Sequence, residues 1–210
     1  MWFSDTKDLE EDILDLELGT GYSLLCKNRP MNNRGYSTGG VAMCFRRSHI
    51  DFKVLDLPGN EYEILFSVST MPLFSRKFIA ICVYMPPSMS SSSAAACMSF
   101  LVDAIMEIKD RYKNPFICVA GDFNSHNIQS YLDDYPDLSL VCTGPTRGDR
   151  TIDLVFTNFT SDIMDAGTIA PLENDLGGAA SDHRVVQCTA ELHQFEAYEW
   201  ITYTLSLIPI

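Results

Sequence analysis

The chain has 210 residues, of which 46% are hydrophobic and 20% are charged. This length supports one domain with a sizeable core, and the balance excludes an intrinsically disordered protein. The net charge of −13 argues against a general nucleic-acid-binding protein, because phosphate contacts require Lys and Arg. The charge is uneven, however. Acidic residues dominate positions 1–20, and basic residues dominate positions 27–53. The basic strip is either a solvated face or a contact surface.

Cysteine usage indicates a reducing compartment. The seven cysteines form no CxxC pair, and Cys44, Cys82 and Cys118 lie inside apolar runs. This pattern favours buried free thiols over a disulfide framework or a zinc site. We expect Cys82 and Cys118 to be buried in neighbouring strands. No secretory leader is visible, and no apolar run reaches the roughly 18–20 residues of a membrane span, so we expect an intracellular protein.

Short apolar runs rich in β-branched and aromatic residues predict the first strands, at residues 41–45, 62–68 and 78–85. The segment "PPSMSSSS" follows. It cannot continue a strand, and its serine hydroxyls can cap a helix. From Ala94 to Tyr112, apolar residues recur at helical spacing and predict a helix with one buried stripe.

The run "FICVA" (116–120) completes a strand, helix, strand unit. This unit places "GDFN" at the carboxyl end of its second strand, where ligand sites collect in layered α/β folds. Further strands are predicted at 138–142, 151–157 and 184–192. Many strands with few helices predict two packed sheets flanked by helices, in one α+β domain.

Three acidic motifs lie at predicted strand ends: "GDFN" (121–124), "TIDLVF" (151–156) and "SDHRVV" (181–186). Hydrolysis of a phosphodiester requires an activated water, a cation that offsets developing negative charge, and donors to the phosphoryl oxygens. Each motif alone also fits a structural role, as an Asx turn, a solvated hairpin or a surface turn. Their common placement at strand ends favours a site.

Within these motifs, Asp122 is a candidate base, and Asn124, two residues on, projects to the same side of the strand. His183 is a candidate donor to a phosphoryl oxygen, and Asp153 is a candidate for the carboxylate that holds its tautomer. Asp182 offers an oxygen ligand for Mg²⁺.

Four ordered segments, "VYMPP", "VAGDFNSHN", "PTRGDRTIDLVFTN" and "SDHRVV", resemble successive motifs of the endonuclease/exonuclease/phosphatase superfamily. They resemble in particular the apurinic-endonuclease-like domain of non-LTR retrotransposons. The resemblance spans roughly residues 2–192 and leaves residues 193–210 unassigned. It implies a four-layered α/β sandwich that cleaves DNA phosphodiesters with Mg²⁺, or with Mn²⁺, in the nucleus.

Position by position, the resemblance makes Asp122 the water-activating base and a metal contact, and Asn124 a positioner of phosphate and water. It makes His183 the phosphate-contacting histidine, oriented by Asp153. Asp182 joins the metal and phosphate network.

Tyr84, in "VYMPP", matches the family tyrosine that reaches the scissile phosphate or the leaving group. An amphipathic tyrosine at a sheet end is the alternative. Arg147 matches a contact to the DNA backbone, and a surface arginine is the alternative. The family pattern does not require the histidine at position 126.

The resemblance also predicts an Asn-bearing strand and a second strand ending in Glu-Thr-Trp, whose Glu binds the metal. Trp2 matches that Trp, so we expect the Asn and the Glu to precede Met1 and the domain to be incomplete at its N-terminus. Three hypotheses therefore stay open. The chain is a DNA-nicking endonuclease, an inactive remnant that keeps the fold, or a phosphatase-type relative, with the "GPTRGDRTIDLVFTN" segment favouring the first over the last.

Overall fold

The computed structural model describes residues 2–4, 21–29, 40–46, 50–69, 76–132, 137–160, 163–170, 181–192 and 201–207. Within these ranges the chain forms two six-stranded sheets. In chain order the strands are β1 (Trp2–Ser4), β2 (Tyr22–Asn28), β3 (Gly40–Arg46), β4 (Phe52–Val54), β5 (Ile64–Ser69), β6 (Phe78–Tyr84), β7 (Phe116–Asp122), β8 (Ser139–Leu140), β9 (Asp153–Thr157), β10 (Ile163–Ile169), β11 (Val185–Leu192) and β12 (Ile201–Leu207). The helices are α1 (Ser91–Arg111) and α2 (Gln129–Leu132).

Both sheets share one pattern of strand directions. Sheet A has the order β10-β11-β12-β1-β3-β2, and sheet B has the order β4-β5-β6-β7-β9-β8. Neighbouring strands are antiparallel except at the centre, where β12 and β1 are parallel in sheet A and β6 and β7 are parallel in sheet B. Strand β12 lies within residues 193–210, which the family resemblance does not cover, and it pairs with β11 along its whole length.

Helix α1 connects the parallel pair of sheet B. It begins after Ser90, whose side chain accepts a hydrogen bond from the Ser93 N–H at 3.1 Å. The serine run therefore supplies the cap, and the helix begins three residues before the predicted Ala94. Basic residues occupy the last turn, where they complement the helix dipole, and the predicted buried stripe packs against sheet B.

Strand β6 shows how the core is divided. Ile79, Ile81 and Val83 pack against α1, whereas Ala80 and Cys82 face sheet A. Such alternation is expected of a strand buried on both sides, and each fully buried Ile or Val contributes about 1.5–3 kcal/mol. The described residues thus form three layers, in which sheet B lies between α1 and sheet A. The predicted α+β class with two packed sheets is confirmed.

By length and composition alone, α1 could cross a membrane, since it has 21 residues and a mean hydropathy of 1.3 over its most apolar window. The sequence predicts no membrane span. Its buried residues, however, lie in one cluster with those of sheet B, which is the packing of a core helix.

The thiols lie where the sequence predicts. Cys82 and Cys118 are 1% and 0% exposed, and they belong to the adjacent strands β6 and β7. This confirms the expectation for this pair. The seven cysteines all lie within the described ranges and are present as thiols.

The weakest strand prediction was residues 138–142. Only Ser139–Leu140 form a strand, at the edge of sheet B, and both residues are exposed. Strands β2, β4 and β10 were not predicted, since edge strands and partly buried strands carry a weaker apolar pattern.

Candidate active site

Three neighbouring strands of sheet B each have a polar residue at one terminus, and these termini lie at the same end of the sheet. Tyr84 of β6 pairs with Asp122 of β7, and Asp122 pairs with Asp153 of β9. Cys82, Ala120 and Val155, two residues away on the same strands, belong to the cluster between the sheets. Because side chains alternate along a strand, the three polar side chains also face sheet A. They are 9%, 5% and 0% exposed, respectively.

His183 approaches this row from the other sheet, since it lies just before β11. Its Nδ1 is 2.9 Å and 3.1 Å from the two carboxylate oxygens of Asp153. Asp153 is therefore within hydrogen-bonding distance of His183, as the sequence predicts. With Asp153 accepting from the Nδ1–H, the Nε2 atom is the one directed away from that carboxylate.

Thr146, which the sequence analysis missed, holds this pair in place. It is fully buried, and its hydroxyl oxygen accepts the N–H groups of Ile152 and Asp153 at 3.0 Å each. Its carbonyl oxygen accepts the N–H of Arg184 at 2.6 Å. One residue thus links the start of β9 to the segment that carries His183. A threonine in a Gly- and Pro-containing loop gives no sequence signal for this role.

The charge state of His183 reflects a competition. Burial by itself would lower the pKa of the imidazole, because it disfavours the charged form. The hydrogen bond and charge of Asp153, with the charges of Asp122 and Asp182, act in the opposite direction and leave the pKa of His183 raised. The site therefore favours the imidazolium, which can donate a proton from Nε2.

Asp122 is destabilised as an anion. Burial and the neighbouring charge of Asp153 raise its pKa to about 6, against the opposing effect of the N–H of Asn124. That N–H donates to Oδ1 of Asp122 at 2.8 Å. "GDFN" thus forms an Asx turn and also lies in the cluster, so the two interpretations of this motif are compatible.

Asn124 has a φ of +50°, a left-handed conformation that asparagine tolerates better than most residues. Its Nδ2 donates to the carbonyl oxygen of Met85 at 2.9 Å, and the Met85 N–H donates to the carbonyl oxygen of Asp122 at 2.9 Å. The loops after β6 and β7 are thereby fastened to each other next to the carboxylates.

The buried residues Asp122, Asp153 and His183 offer possible metal-ligand atoms that all lie within 4.8 Å of one another. Two buried carboxylates on adjacent strands repel each other, as the raised pKa of Asp122 shows, and a bound cation would relieve that repulsion. Since Asp153 is engaged by His183, Asp122 is the carboxylate suited to hold a hard divalent cation. The donor set therefore fits such a cation.

Asp182 and Arg147 lie at the rim of this cluster and contact each other. The Asp182 carboxylate is 2.7 Å from Nε and 2.6 Å from Nη2 of Arg147. Asp182 is 65% exposed, and its Oδ1 is 3.8 Å from Nε2 of His183. The structure thus pairs the predicted metal ligand with the predicted DNA contact.

Two further arginines reach the site. The guanidinium carbon of Arg29 lies 5.6 Å from the ring centroid of Tyr84, and Arg29 donates to the Glu63 carboxylate at 2.7 Å and 3.0 Å. Arg150 is exposed, and its Nη1 is 3.4 Å from the Ser125 hydroxyl. The basic strip at 27–53 was the only sequence signal for Arg29.

No known family profile and no curated protein matches the sequence. Solved structures do match. An endonuclease/exonuclease/phosphatase family protein from Bacteroides thetaiotaomicron aligns over 86% of this chain and 79% of its own, with a TM-score of 0.60 and 14% identity. The chain has the endonuclease/exonuclease/phosphatase fold. The strand-end cluster described above therefore belongs to a chain of this fold.

Other solved structures with this fold come from different kinds of protein. TDP2 of D. rerio, humanized by 14 mutations, aligns over 87% of this chain and 81% of its own, with a TM-score of 0.59 and 14% identity. TDP2 of D. rerio has also been solved in complex with a single-strand DNA product, at a TM-score of 0.55 over 87% of this chain and 82% of its own, with 14% identity. A mannosyl-6-phosphatase of B. thetaiotaomicron aligns over 86% of this chain and 80% of its own, with a TM-score of 0.57 and 13% identity. At these identities the likeness establishes the fold alone.

Proposed function

We propose that this protein hydrolyses phosphoesters with the help of a divalent cation. The observation that supports the proposal is the buried Asp153–His183 hydrogen bond beside the carboxylate of Asp122, between one end of sheet B and sheet A. A raised histidine pKa and a carboxyl pKa of about 6 are suited to acid and base roles near neutral pH.

In the proposed reaction, a water oxygen forms a bond to phosphorus while the bond from phosphorus to the leaving oxygen breaks. Asp122 accepts the proton of the water, and Asn124 positions the water and the phosphate. His183 donates from Nε2 to a nonbridging oxygen, and Asp153 holds its orientation. The leaving oxygen takes up a proton from solvent, and the hydroxyl of Tyr84, beside Asp122 in the sheet, donates a hydrogen bond to the phosphate or to that leaving oxygen.

A divalent cation would be held by Asp122, and its charge would offset the developing negative charge, an effect of several kcal/mol. Carboxylate and amide oxygens favour Mg²⁺ or Mn²⁺ over softer metals. Asp182 would act on the site through its contacts with His183 and Arg147, whereas Asp122 would be the main ligand of the cation.

We further propose that the substrate is DNA and that the reaction is the strand nicking of a non-LTR retrotransposon endonuclease, which would act in the nucleus. The ordered motifs, above all "PTRGDRTIDLVFTN", support this choice. The likeness to a TDP2 that has been solved with single-strand DNA product is in keeping with it. Arg147 and Arg150, on one hairpin at the rim, are the candidate contacts to the DNA backbone.

A phosphatase acting on a small phosphoester is the second candidate, because the fold is shared with a mannosyl-6-phosphatase and the net charge of −13 disfavours a polyanion. Plasmid nicking and phosphate release from mannose 6-phosphate, each in Mg²⁺, Mn²⁺ and EDTA, separate the two. Nicking that requires metal and is lost in Asp122→Ala and His183→Ala supports the endonuclease. Asp103→Ala, an exposed carboxylate on α1, is the control and should be unaffected.

Metal-dependent release of phosphate without nicking would assign the phosphatase reaction instead. Absence of both activities in a folded protein would contradict the proposed hydrolysis and favour an inactive remnant of the fold.

A further inference from the structure

A cavity of about 430 Å³ lies beside the site, on the opposite side of sheet B from sheet A. Its walls are the first two turns of α1, through Ser91, Ala95 and Met98, the loop after β7, through His126, and the short helix α2, through Tyr131. Neither the sequence motifs nor the proposed hydrolysis gives this cavity a role.

The chemistry of the walls is neutral. Of the described residues that line the cavity, none has a formal charge apart from the titratable His126. The lining combines two rings, His126 and Tyr131, with the amide of Asn127, several hydroxyls and methionine side chains. Nε2 of His126 is 2.9 Å from the carbonyl oxygen of Pro86, so Nε2 donates and Nδ1 remains as an acceptor. Such a wall suits a neutral ring with hydrogen-bonding edges rather than a second phosphate.

The cavity is joined rigidly to the site. Met85 lines the cavity, donates its N–H to the Asp122 carbonyl oxygen and accepts from the amide of Asn124. Ser125 and His126, also in the wall, directly follow Asn124. A chain with its phosphate at Asp122 would therefore cross one short loop to place a neighbouring group in the cavity.

We propose that this cavity binds a nucleobase adjacent to the scissile phosphate, with Tyr131 and His126 as its binding residues. A nucleobase is neutral, planar and edged by donors and acceptors, and stacking on aromatic side chains contributes to its binding. The volume accommodates a group of nucleoside size. The inference rests on the proposed function, which places the scissile phosphate at Asp122. Binding of the base in the cavity is tested separately.

The first experiment measures binding of free thymidine and free mannose by NMR titration in EDTA, where no hydrolysis occurs. Ala95→Phe fills the cavity, and Ala96→Phe, its exposed neighbour on α1 that does not line the cavity, is the matched control. We expect thymidine binding by the native chain and by Ala96→Phe, and a loss of about tenfold or more in Ala95→Phe. Tyr131→Ala, which removes a ring instead of adding one, should show a similar loss.

Equal thymidine binding by all four proteins, no thymidine binding by the native chain, or preference for mannose would overturn the nucleobase assignment. The second experiment compares hydrolysis of thymidine 5′-(p-nitrophenyl phosphate) with that of methyl p-nitrophenyl phosphate, which lacks the base. Ala95→Phe should raise KM for the thymidine ester alone. If neither ester is cleaved, the proposed hydrolysis fails, and thymidine binding still decides the cavity.

Discussion

Two buried carboxylates at the site lower the stability of the folded protein. Asp122 at the end of β7 and Asp153 at the start of the adjacent β9 are 5% and 0% exposed, and His183 is hydrogen-bonded to Asp153. An ionised carboxylate in such a place costs free energy, which is why the pKa of Asp122 rises. The arrangement is what a catalytic base and cation site require, and it predicts a trade-off between activity and stability.

Asp122→Asn should therefore stabilise the metal-free protein above neutral pH. The pKa of about 6 in the folded protein lies above the ordinary aspartate value of 3.8, so the stability that the protonated group contributes is present below about pH 4 and is lost as the pH rises through 6. At about pH 8 we expect the substitution to raise the free energy of unfolding by about 1–3 kcal/mol. Urea denaturation in EDTA measures this, and a gain that did not shrink toward about pH 4 would contradict the electrostatic cause.

Asp153→Asn tests the orienting role. Removing the carboxylate removes the group that raises the pKa of His183, so that pKa should fall, as followed by the NMR shifts of the imidazole protons. Hydrolysis should fall by about 10²–10⁴ because the tautomer and the charge of His183 are no longer held. His126, which has no carboxylate partner in the described hydrogen bonds, is the internal control. An unchanged titration of His183 would show that Asp153 does not govern it.

At the level of elements, the parallel pair β6 and β7 sets the position of the site. The two strands lie so close at Gly121 that a Cβ there would be 2.0 Å from the carbonyl oxygen of Val83. Backbone atoms cannot yield as a flexible side chain does, so the glycine is required by the approach of the strands. The glycine before Asp122 is thus required by the pairing of β6 and β7 and not by a role in catalysis.

Gly121→Ala should destabilise the fold by about 3 kcal/mol and disturb the alignment of Asp122 with Tyr84 and Asp153. Gly167→Ala in β10 is the control, since a Cβ at Gly167 would meet nothing within 4 Å. Thermal unfolding of both variants gives the comparison. Similar melting temperatures would mean that β6 and β7 separate at little cost.

At the level of the whole molecule, the two sheets repeat one strand-direction pattern with different connections. In sheet B the central parallel pair is joined by α1, whereas in sheet A the pair consists of β1 and β12, which are far apart in the chain. Strand β12 lies between β11 and β1, so the strand that follows His183 depends on it for one of its two neighbours.

Leu205→Pro should therefore weaken sheet A. Leu205 pairs with Cys188 in the middle of β11, and proline removes a backbone donor from a central strand. We expect a loss of about 3 kcal/mol or more and exposure of a strand edge that favours aggregation. Leu205→Val keeps the donor and is the matched control. Size-exclusion chromatography and thermal unfolding provide the readouts, and a monomer with native stability would show that β12 is dispensable.

The sequence by itself determined the elements with strong local patterns and the polar residues that follow them. The stripe of α1, the run before Asp122, and Asp153 with His183 are all readable because periodicity and strand ends are local properties. Tertiary structure alone brought Arg29 to Tyr84 and paired Arg147 with Asp182. It also placed β12 between β11 and β1. These contacts join distant segments, and their partners are chosen by packing and strand register, which no local pattern encodes.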